Sequence, residues 1–308
     1  MNKNRDMESD FIKSISITEL SGTDAEYHAK EYISVSGMKK IKVSPAHFRE
    51  AEKVIPTDAM RFGSAYHCYI LQPDRFEDEF YVFDDSHIYQ VLQGEGYKSP
   101  RSTKDYKTWL ESENNMVGNR EMISKDEFER IKAMKYKLFS HPYSKMLLTN
   151  GRQEIGFAGE IETMAGTINV KFKPDIIKDN KRIVVDLKTT IDASVDGFTK
   201  AAASLDYHLQ AAFYADMLTL MDGDGRDYGF YFVAQEKKAP FAFNIFESGP
   251  RFLGQGRYEY ELLLQLYKYC IDNDKWPGYQ VFCQNKYGIN ELNLPPWAIK
   301  SLDYFIHK

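Results

Sequence analysis

The residues with the clearest chemical potential lie in two short segments in the middle of the chain. Asp175 ends a Lys-Pro-Asp triplet, and Asp186 and Lys188 belong to a Val-Asp-Leu-Lys segment. The runs 170–177 and 183–188 are rich in apolar and β-branched residues and are separated by a polar turn, which predicts a hairpin. Because side chains two apart on a strand share a face, Asp186 and Lys188 point the same way, and Asp175 arrives beside them from the neighbouring strand.

These three side chains could hold a divalent cation and assist the hydrolysis of a phosphodiester. Hard cations such as Mg²⁺ prefer oxygen ligands, usually one or two carboxylates together with water and substrate phosphate. The lysine would then hold the attacking water or stabilise the charge that develops on the phosphate. Segments of this kind also arise by chance, and a charged hairpin edge that is merely solvated is the alternative explanation.

Four further residues could complete such a site. His67 lies beside the apolar stripe of a predicted helix and could reach a metal, although a hydrogen-bonded helix histidine is the simpler explanation. Gln210 and Tyr214 lie four apart on a predicted helix and share a face, where the amide could bind a phosphate or a metal-bound water. The alternative for Gln210 is a polar residue at the edge of a packed helix. Glu154 lies on the strand before Asp175 and could add a third carboxylate.

Two lysines on the first strand of the predicted hairpin could bind DNA. Lys171 and Lys173 alternate with other residues along that strand, which predicts that they share the face of Asp175. Like Gln210, they could contact phosphates without reading bases. An exposed strand face explains the two lysines equally well.

The elements that must position these residues form an α/β pattern. Residues 1–30 are polar and predict a loose arm, and residues 84–120 predict a long loop or mobile segment. The rest, 31–308, predicts one domain, mostly helical over 31–150 and carrying the sheet over 151–308. Capping residues predict helices beginning at Ser36, Ser44, Thr57 and Ser124. Later strands are predicted over 154–160, 167–177, 183–189, 228–234 and 241–247, and later helices over 204–221 and 258–271.

Composition excludes several classes of protein. The chain has 308 residues, 43% hydrophobic and 28% charged, and lacks a run of about 18 apolar residues, so no transmembrane helix is predicted. Residues 1–10 lack the apolar stretch of a secretory signal. Three cysteines, Cys68, Cys270 and Cys283, are too few for a disulfide framework or an iron–sulfur cluster, and they favour a reducing cytoplasm. The net charge of −5 does not exclude DNA binding, because basic residues can be confined to a channel.

Taken together, these motifs resemble the PD-(D/E)xK nuclease superfamily, in the RecB-type branch with an upstream histidine and a downstream Gln-x-x-x-Tyr motif. A closer resemblance is to the nuclease domains of the RecE-type exodeoxyribonuclease VIII family of prophage recombination systems. The segments that carry it are 33–36, 44–48, 62–67, 71–73, 173–175, 186–190, 207–214, 276–277 and 294–297. The resemblance implies a restriction-endonuclease-like core with a mixed central sheet flanked by helices.

The resemblance also implies roles for individual residues. These roles are metal ligation by His67, Asp175, Asp186 and the Leu187 carbonyl, catalysis by Lys188, and a downstream motif at Gln210 and Tyr214, with Glu154 as a less secure match. It implies Mg²⁺, or Mn²⁺, as the cofactor. It further implies digestion of duplex DNA from 5′ ends, a single-strand annealing partner of the RecT type, and a ring-shaped homo-oligomer.

Two other functions remain open from the sequence. A structure-specific endonuclease of the same fold would cut closed circular duplex DNA, whereas an exonuclease would not. A non-catalytic DNA-binding scaffold of this fold would be expected to have lost one of the charges of the site, and all of them are present here.

Overall fold

The structure, a computed structural model, describes residues 11–21, 24–52, 55–279 and 289–295. The strands are β1 (Ile12–Glu19), β2 (Phe80–Phe83), β3 (Glu121–Ser124), β4 (Arg152–Gln153), β5 (Phe157–Thr163), β6 (Gly166–Phe172), β7 (Ile176–Lys178), β8 (Ile183–Thr190), β9 (Gly229–Glu236) and β10 (Phe243–Glu247). The α-helices are α1 (Asp24–Ala29), α2 (Val35–Val43), α3 (Pro45–Arg49), α4 (Asp58–Leu71), α5 (Phe76–Glu79), α6 (Ser86–Gly94), α7 (Lys104–Met116), α8 (Lys125–Phe139), α9 (Pro142–Leu148), α10 (Val195–Ser204), α11 (Tyr207–Asp222) and α12 (Pro250–Asn273). Residues 1–10, Cys283 and positions 296–297 of the resemblance lie outside the described residues.

A five-stranded mixed sheet carries the middle of the chain, in the order β10-β9-β8-β7-β4. Strand β8 pairs in parallel with β9 and antiparallel with β7, and the outer pairs are antiparallel. The β8 sequence begins with three apolar residues in a row, as expected for a strand that is covered on both faces. Val184 and Val185 are both fully buried and belong to different cores, one on each face of the sheet.

Helices cover both faces of this sheet. Val184, Phe230 and Phe232 pack with apolar residues of α2, α10, α11 and α12, and the second sheet, β1-β5-β6, joins the same core. Val185 and Leu187 pack with apolar residues of α4, α8 and α9 in the other core. The prediction of an α/β core with a mixed central sheet flanked by helices and a helical N-terminal part is therefore confirmed.

Helix starts follow the capping residues in the sequence. Ser44 and Thr57 cap α3 and α4 as predicted, each accepting a 3.3 Å hydrogen bond from a backbone amide three residues on. Ser124 forms the predicted reciprocal capping box of α8. The α2 helix begins earlier than predicted, because Ser34 rather than Ser36 is its cap. In the described part of the chain, no helix has both the length and the apolarity that a bilayer crossing needs.

One predicted strand is interrupted by a change of direction. The strand predicted over 167–177 is divided between two sheets, because β6 lies in the second sheet and β7, after a break at 173–175, lies in the central sheet. Pro174 has no N–H to donate to a ladder, which favours the break at this point. The helix predicted over 204–221 is α11, which begins three residues later than predicted, after Asp206, whose φ of 53° is left-handed.

The loose arm predicted for the N-terminus is wrong for residues 12–19. Strand β1 pairs with β5 over its whole length, from Ile12 opposite Thr163 to Glu19 opposite Phe157. Phe11, just before it, is 4% exposed and belongs to the first core. Isoleucine alternating with serine over this segment was the signal of a half-buried strand. The assignment of 31–308 to a single domain stays a prediction.

The long loop predicted over 84–120 is also wrong. This segment contains α6 and α7 between β2 and β3, which pair in parallel. Asp85 is 5% exposed and accepts hydrogen bonds of 2.7 Å from Arg101 Nε and from the Tyr106 hydroxyl. Three apolar residues of the segment, Leu92, Tyr106 and Val117, are buried in spite of its polar composition. A short buried polar network thus orders a segment whose sequence predicts mobility.

Candidate active site

Three charged side chains meet at the end of β8. Asp186 and Lys188 lie two apart on the strand, and Lys188 Nζ is 2.6 Å from Asp186 Oδ1. Asp175 is the last residue of the break between β6 and β7, and its Oδ2 accepts a 2.7 Å hydrogen bond from the Leu187 amide. The antiparallel pairing of β7 with β8 therefore brings together the two carboxylates and the lysine that the sequence singles out.

His67 reaches this group from α4, which belongs to the second core. Its Nδ1 lies 3.5 Å from Asp175 Oδ2, and its ring hydrogen-bonds to the backbone carbonyl of Leu187. Burial lowers the pKa of His67 by more than the nearby Glu154 carboxylate raises it. The ring is therefore neutral at pH 7, and neutral imidazole is the form that binds metals.

Glu154 joins the site from the residue after β4. Its φ is 54°, and its amide donates a 2.9 Å hydrogen bond to the backbone carbonyl of Asp175. The Glu154 carboxylate lies 2.8 Å from Lys173 Nζ. Burial, followed by the charge of Asp175, raises the pKa of Glu154. A left-handed backbone conformation is unusual for glutamate, and such conformations cluster at functional sites, which supports a functional role for Glu154.

Crowded negative charge dominates the electrostatics of the group. Burial and then the neighbouring Asp186 raise the pKa of Asp175 to about 7. Burial alone would lower the pKa of Lys188, but the charges of Asp186 and Asp175 outweigh it and hold that pKa above its usual value. Lys188 is consequently a permanent cation, whereas Asp175 needs a further positive charge to remain ionised at neutral pH.

Gln210 and Tyr214 approach from α11, in the first core. Gln210 Nε2 donates a 2.6 Å hydrogen bond to Asp186 Oδ2, so the amide orients that carboxylate. The Tyr214 ring lies 5.5 Å from the Phe172 ring, centroid to centroid, and the tyrosine is hydrogen-bonded to the backbone of Lys173. Tyr214 thus supports the break that leads into Asp175.

Lys171 does not lie with the site residues. It is 8% exposed, and its Nζ donates to the carbonyls of Tyr27, His28 and Lys30 at 3.0, 3.1 and 2.5 Å. The prediction that it shares the face of Asp175 is wrong, because the chain leaves the strand after β6 and the two-residue alternation does not continue across the break. Lys173, within the break, does reach the site.

A family comparison agrees with this arrangement. Residues 34–286 match the family model described as "PDDEXK-like domain of unknown function (DUF3799)". The chain belongs to this PDDEXK-like family. A crystal structure of a protein from Eubacterium rectale, provisionally named an exonuclease, is similar over 92% of this chain and 98% of that one, with a TM-score of 0.56 and 16% identity. Comparison with curated protein sequences gives no match.

Family and fold together support a nuclease, and the PDDEXK-like site fits a divalent cation. One nitrogen of His67 and one carboxylate oxygen each of Glu154 and Asp175 lie within 4.8 Å of one another. Asp186 is not one of these three residues, and its buried Oδ1 is 2.6 Å from Lys188 Nζ. Oxygen donors with one imidazole suit Mg²⁺ or Mn²⁺.

The PDDEXK-like site opens into a cavity of about 780 Å³, lined by His67, Glu154, Lys173, Asp175, Lys188 and Tyr207 among others. Tyr207 has a place in the site that sequence reasoning missed. Its ring centroid lies 5.0 Å from Lys188 Nζ, and the ring stacks on Phe232. The available signal was its position as the first residue of a helix, three before Gln210, and that spacing alone does not distinguish a site residue from a core aromatic.

Proposed function

We propose that this protein is a Mg²⁺-dependent exonuclease of the RecE type, which degrades linear duplex DNA from its 5′ ends and leaves 3′ single strands. The observation that supports it most is the meeting of His67, Glu154, Asp175 and Lys188 around one open cavity, with the buried Asp186 paired to Lys188. The order of motifs, which resembles that of the RecE-type family, supports duplex DNA as the substrate and digestion from its 5′ ends.

The residues divide the chemistry among themselves. His67, Asp175 and Asp186 would hold the metal, with Glu154 and the second lone pair of the Leu187 carbonyl available to complete the set. When bound, a divalent cation supplies Lewis acidity toward the scissile phosphate and lowers the pKa of an attacking water.

The protein's own charges act on the phosphate. The Lys188 ammonium, fixed 2.6 Å from Asp186, stabilises the negative charge that builds up as water adds to phosphorus and the bond to the 3′ oxygen breaks. Gln210 holds Asp186 in place during this step. Lys173, paired with Glu154, can neutralise a second phosphate oxygen.

The biological setting of the proposal rests on the family resemblance. We infer a cytoplasmic enzyme that acts with a RecT-type single-strand annealing protein and assembles as a ring around the duplex.

The decisive experiment uses linear duplex DNA labelled separately at its 5′ and 3′ ends, with closed circular DNA alongside, with Mg²⁺, with Mn²⁺ and without metal. Loss of 5′ label with the circle intact supports the proposal. Nicking of the circle would instead indicate an endonuclease of the same fold. DNA binding without cleavage under any metal would indicate a scaffold.

A matched pair of variants guards against contaminating nuclease. Lys188→Met removes the charge at the site, whereas Lys181→Met removes an exposed lysine of the turn just before the same strand. Activity should disappear in the first and persist in the second. Equal activity in both would overturn the assignment of Lys188.

A further inference from the structure

Two lysines of α2 differ sharply in their partners. Lys42 Nζ lies 2.6 Å from Asp206 Oδ1 and 2.6 Å from Glu259 Oε2, so its charge is fully paired. Lys39 Nζ donates a 2.5 Å hydrogen bond to the backbone carbonyl of Leu205. Within the described ranges, Lys39 forms no ion pair with a carboxylate.

Lys39 and Lys188 share an aromatic neighbour. Lys39 Nζ is 5.4 Å from the centroid of the Tyr207 ring, and Lys188 Nζ is 5.0 Å from the same centroid. Tyr207 lines the cavity of the site together with Lys188, and its stacking on Phe232 keeps the ring in place. One fixed aromatic ring is therefore in contact with two ammonium groups, one of which lines the cavity.

This arrangement is unfavourable for the free protein. Burial, followed by repulsion from Lys188, lowers the pKa of Lys39 to about 8. A partly desolvated ammonium without a carboxylate partner is costly, and a second ammonium nearby adds to the cost. A nearby anion would remove both costs.

The two lysines that line the cavity already have acidic partners. Lys188 is paired with Asp186 at 2.6 Å, and Lys173 is paired with Glu154 at 2.8 Å. Of the two described lysines that contact the Tyr207 ring, Lys39 is the one without a carboxylate at ion-pair distance, although the more distant charges of Asp206 and Asp186 favour its protonated form. A DNA strand that presents its scissile phosphate to Lys188 carries its next phosphate along the same edge.

We propose that Lys39 binds the phosphate adjacent to the scissile phosphate on the cleaved strand. The assignment rests on the proposed function, since it takes the substrate to be DNA. Lys39 acts by holding the strand against the Tyr207 edge and does not take part in bond breaking. Lys39 and Lys188 each contact the Tyr207 ring, and in this assignment each binds a different phosphate.

The test measures DNA affinity without cleavage. Fluorescence anisotropy of a labelled duplex with a short single-stranded end is followed in EDTA, over a series of KCl concentrations. The proteins are the wild type, Lys39→Met, Lys39→Arg and Lys42→Met as the control from the same helix. Lys39→Met should weaken binding about ten-fold, as expected for the loss of one charged hydrogen bond, and should reduce the slope of log Kd against log salt by about 0.7 to 0.9.

The variants separate substrate binding from a structural role. Lys39→Arg should restore the salt slope, whereas Lys42→Met should lower the thermal midpoint and leave the slope at its wild-type value. A Lys39→Met protein that is folded, as judged by circular dichroism, and keeps the wild-type Kd and slope would overturn the proposal. If Lys39→Met does not fold, Lys39→Gln replaces it in the same comparison.

The end-label cleavage assay with Mg²⁺, run on the same proteins, distinguishes failure of this inference from failure of the proposed function. If the wild type cleaves DNA and the Lys39 variants bind like it, only the role of Lys39 is overturned. If the wild type neither binds nor cleaves DNA, the proposed function fails, and the role of Lys39 fails with it.

Discussion

Replacing Asp175 with asparagine should stabilise the metal-free protein and at the same time abolish metal-dependent cleavage. The wild-type carboxyl is buried against Asp186, so its ionised form is disfavoured in the folded state. Asparagine has nearly the same shape, can still accept the hydrogen bond from the Leu187 amide, and carries no charge. The substitution thus removes a strain that only a bound cation relieves.

The size of the effect follows from the pKa of about 7 in the folded protein against the ordinary 3.8. Well below pH 3.8 the carboxyl is protonated in both the folded and the unfolded state, so its ionisation makes no contribution to stability. As the pH rises toward 7, the unfolded chain ionises and the folded chain does not, so stability is lost by about 1.4 kcal/mol per pH unit. Above pH 7 the loss levels off at about 4 kcal/mol.

The assay is urea denaturation in EDTA at pH 5, 6, 7 and 8 for the wild type and Asp175→Asn. The variant should be the more stable protein, and its advantage should grow up to pH 7 and then stay constant. Asp179→Asn, on the same hairpin, is the control with the opposite sign, since hydrogen bonding to Arg152 lowers the pKa of Asp179. An Asp175→Asn protein that is less stable than the wild type at pH 8, or whose advantage is independent of pH, would refute the reasoning.

Three further outcomes are expected. Gln210→Ala should slow cleavage about 10- to 100-fold in single-turnover assays without weakening DNA binding, because it only releases Asp186. Lys188→Met should lower the urea midpoint as well as activity by leaving Asp186 unpaired, and adding Asp186→Asn should restore the midpoint but not the activity. Lys171→Met should lower the thermal midpoint and leave the salt dependence of DNA binding unchanged, because its Nζ holds carbonyls at the end of α1.

The core of the site was predictable because it is encoded locally. Asp186 and Lys188 share a strand, and the two-residue alternation alone sets them side by side. The position of Asp175 beside these two residues was also predictable, because an antiparallel hairpin with a short turn allows few pairing registers. The same physics explains why the capping residues Thr57 and Ser124 predicted their helices, since a cap satisfies amides only three residues away.

Positions that depend on tertiary packing were not predictable in this way. The prediction that Lys171 shares the face of Asp175 assumed one continuous strand. The strand is broken at Pro174, and the two-residue alternation does not continue across that break. Lys39 lies next to Tyr207 because α2 packs beside the α10–α11 turn, a contact that joins residues 166 apart. The order within 84–120 depends on the buried Asp85 network, and composition cannot reveal such pairing.

The placement of His67 and Gln210 on opposite faces of the central sheet has a consequence for how the protein is made. His67 arrives with the helical layer over one face, and Gln210 with the layer over the other. A chain that has left the ribosome only as far as β8 already carries both aspartates and Lys188, yet it lacks the amide that orients Asp186. Full activity at the site would therefore arise only after both layers have docked on the sheet.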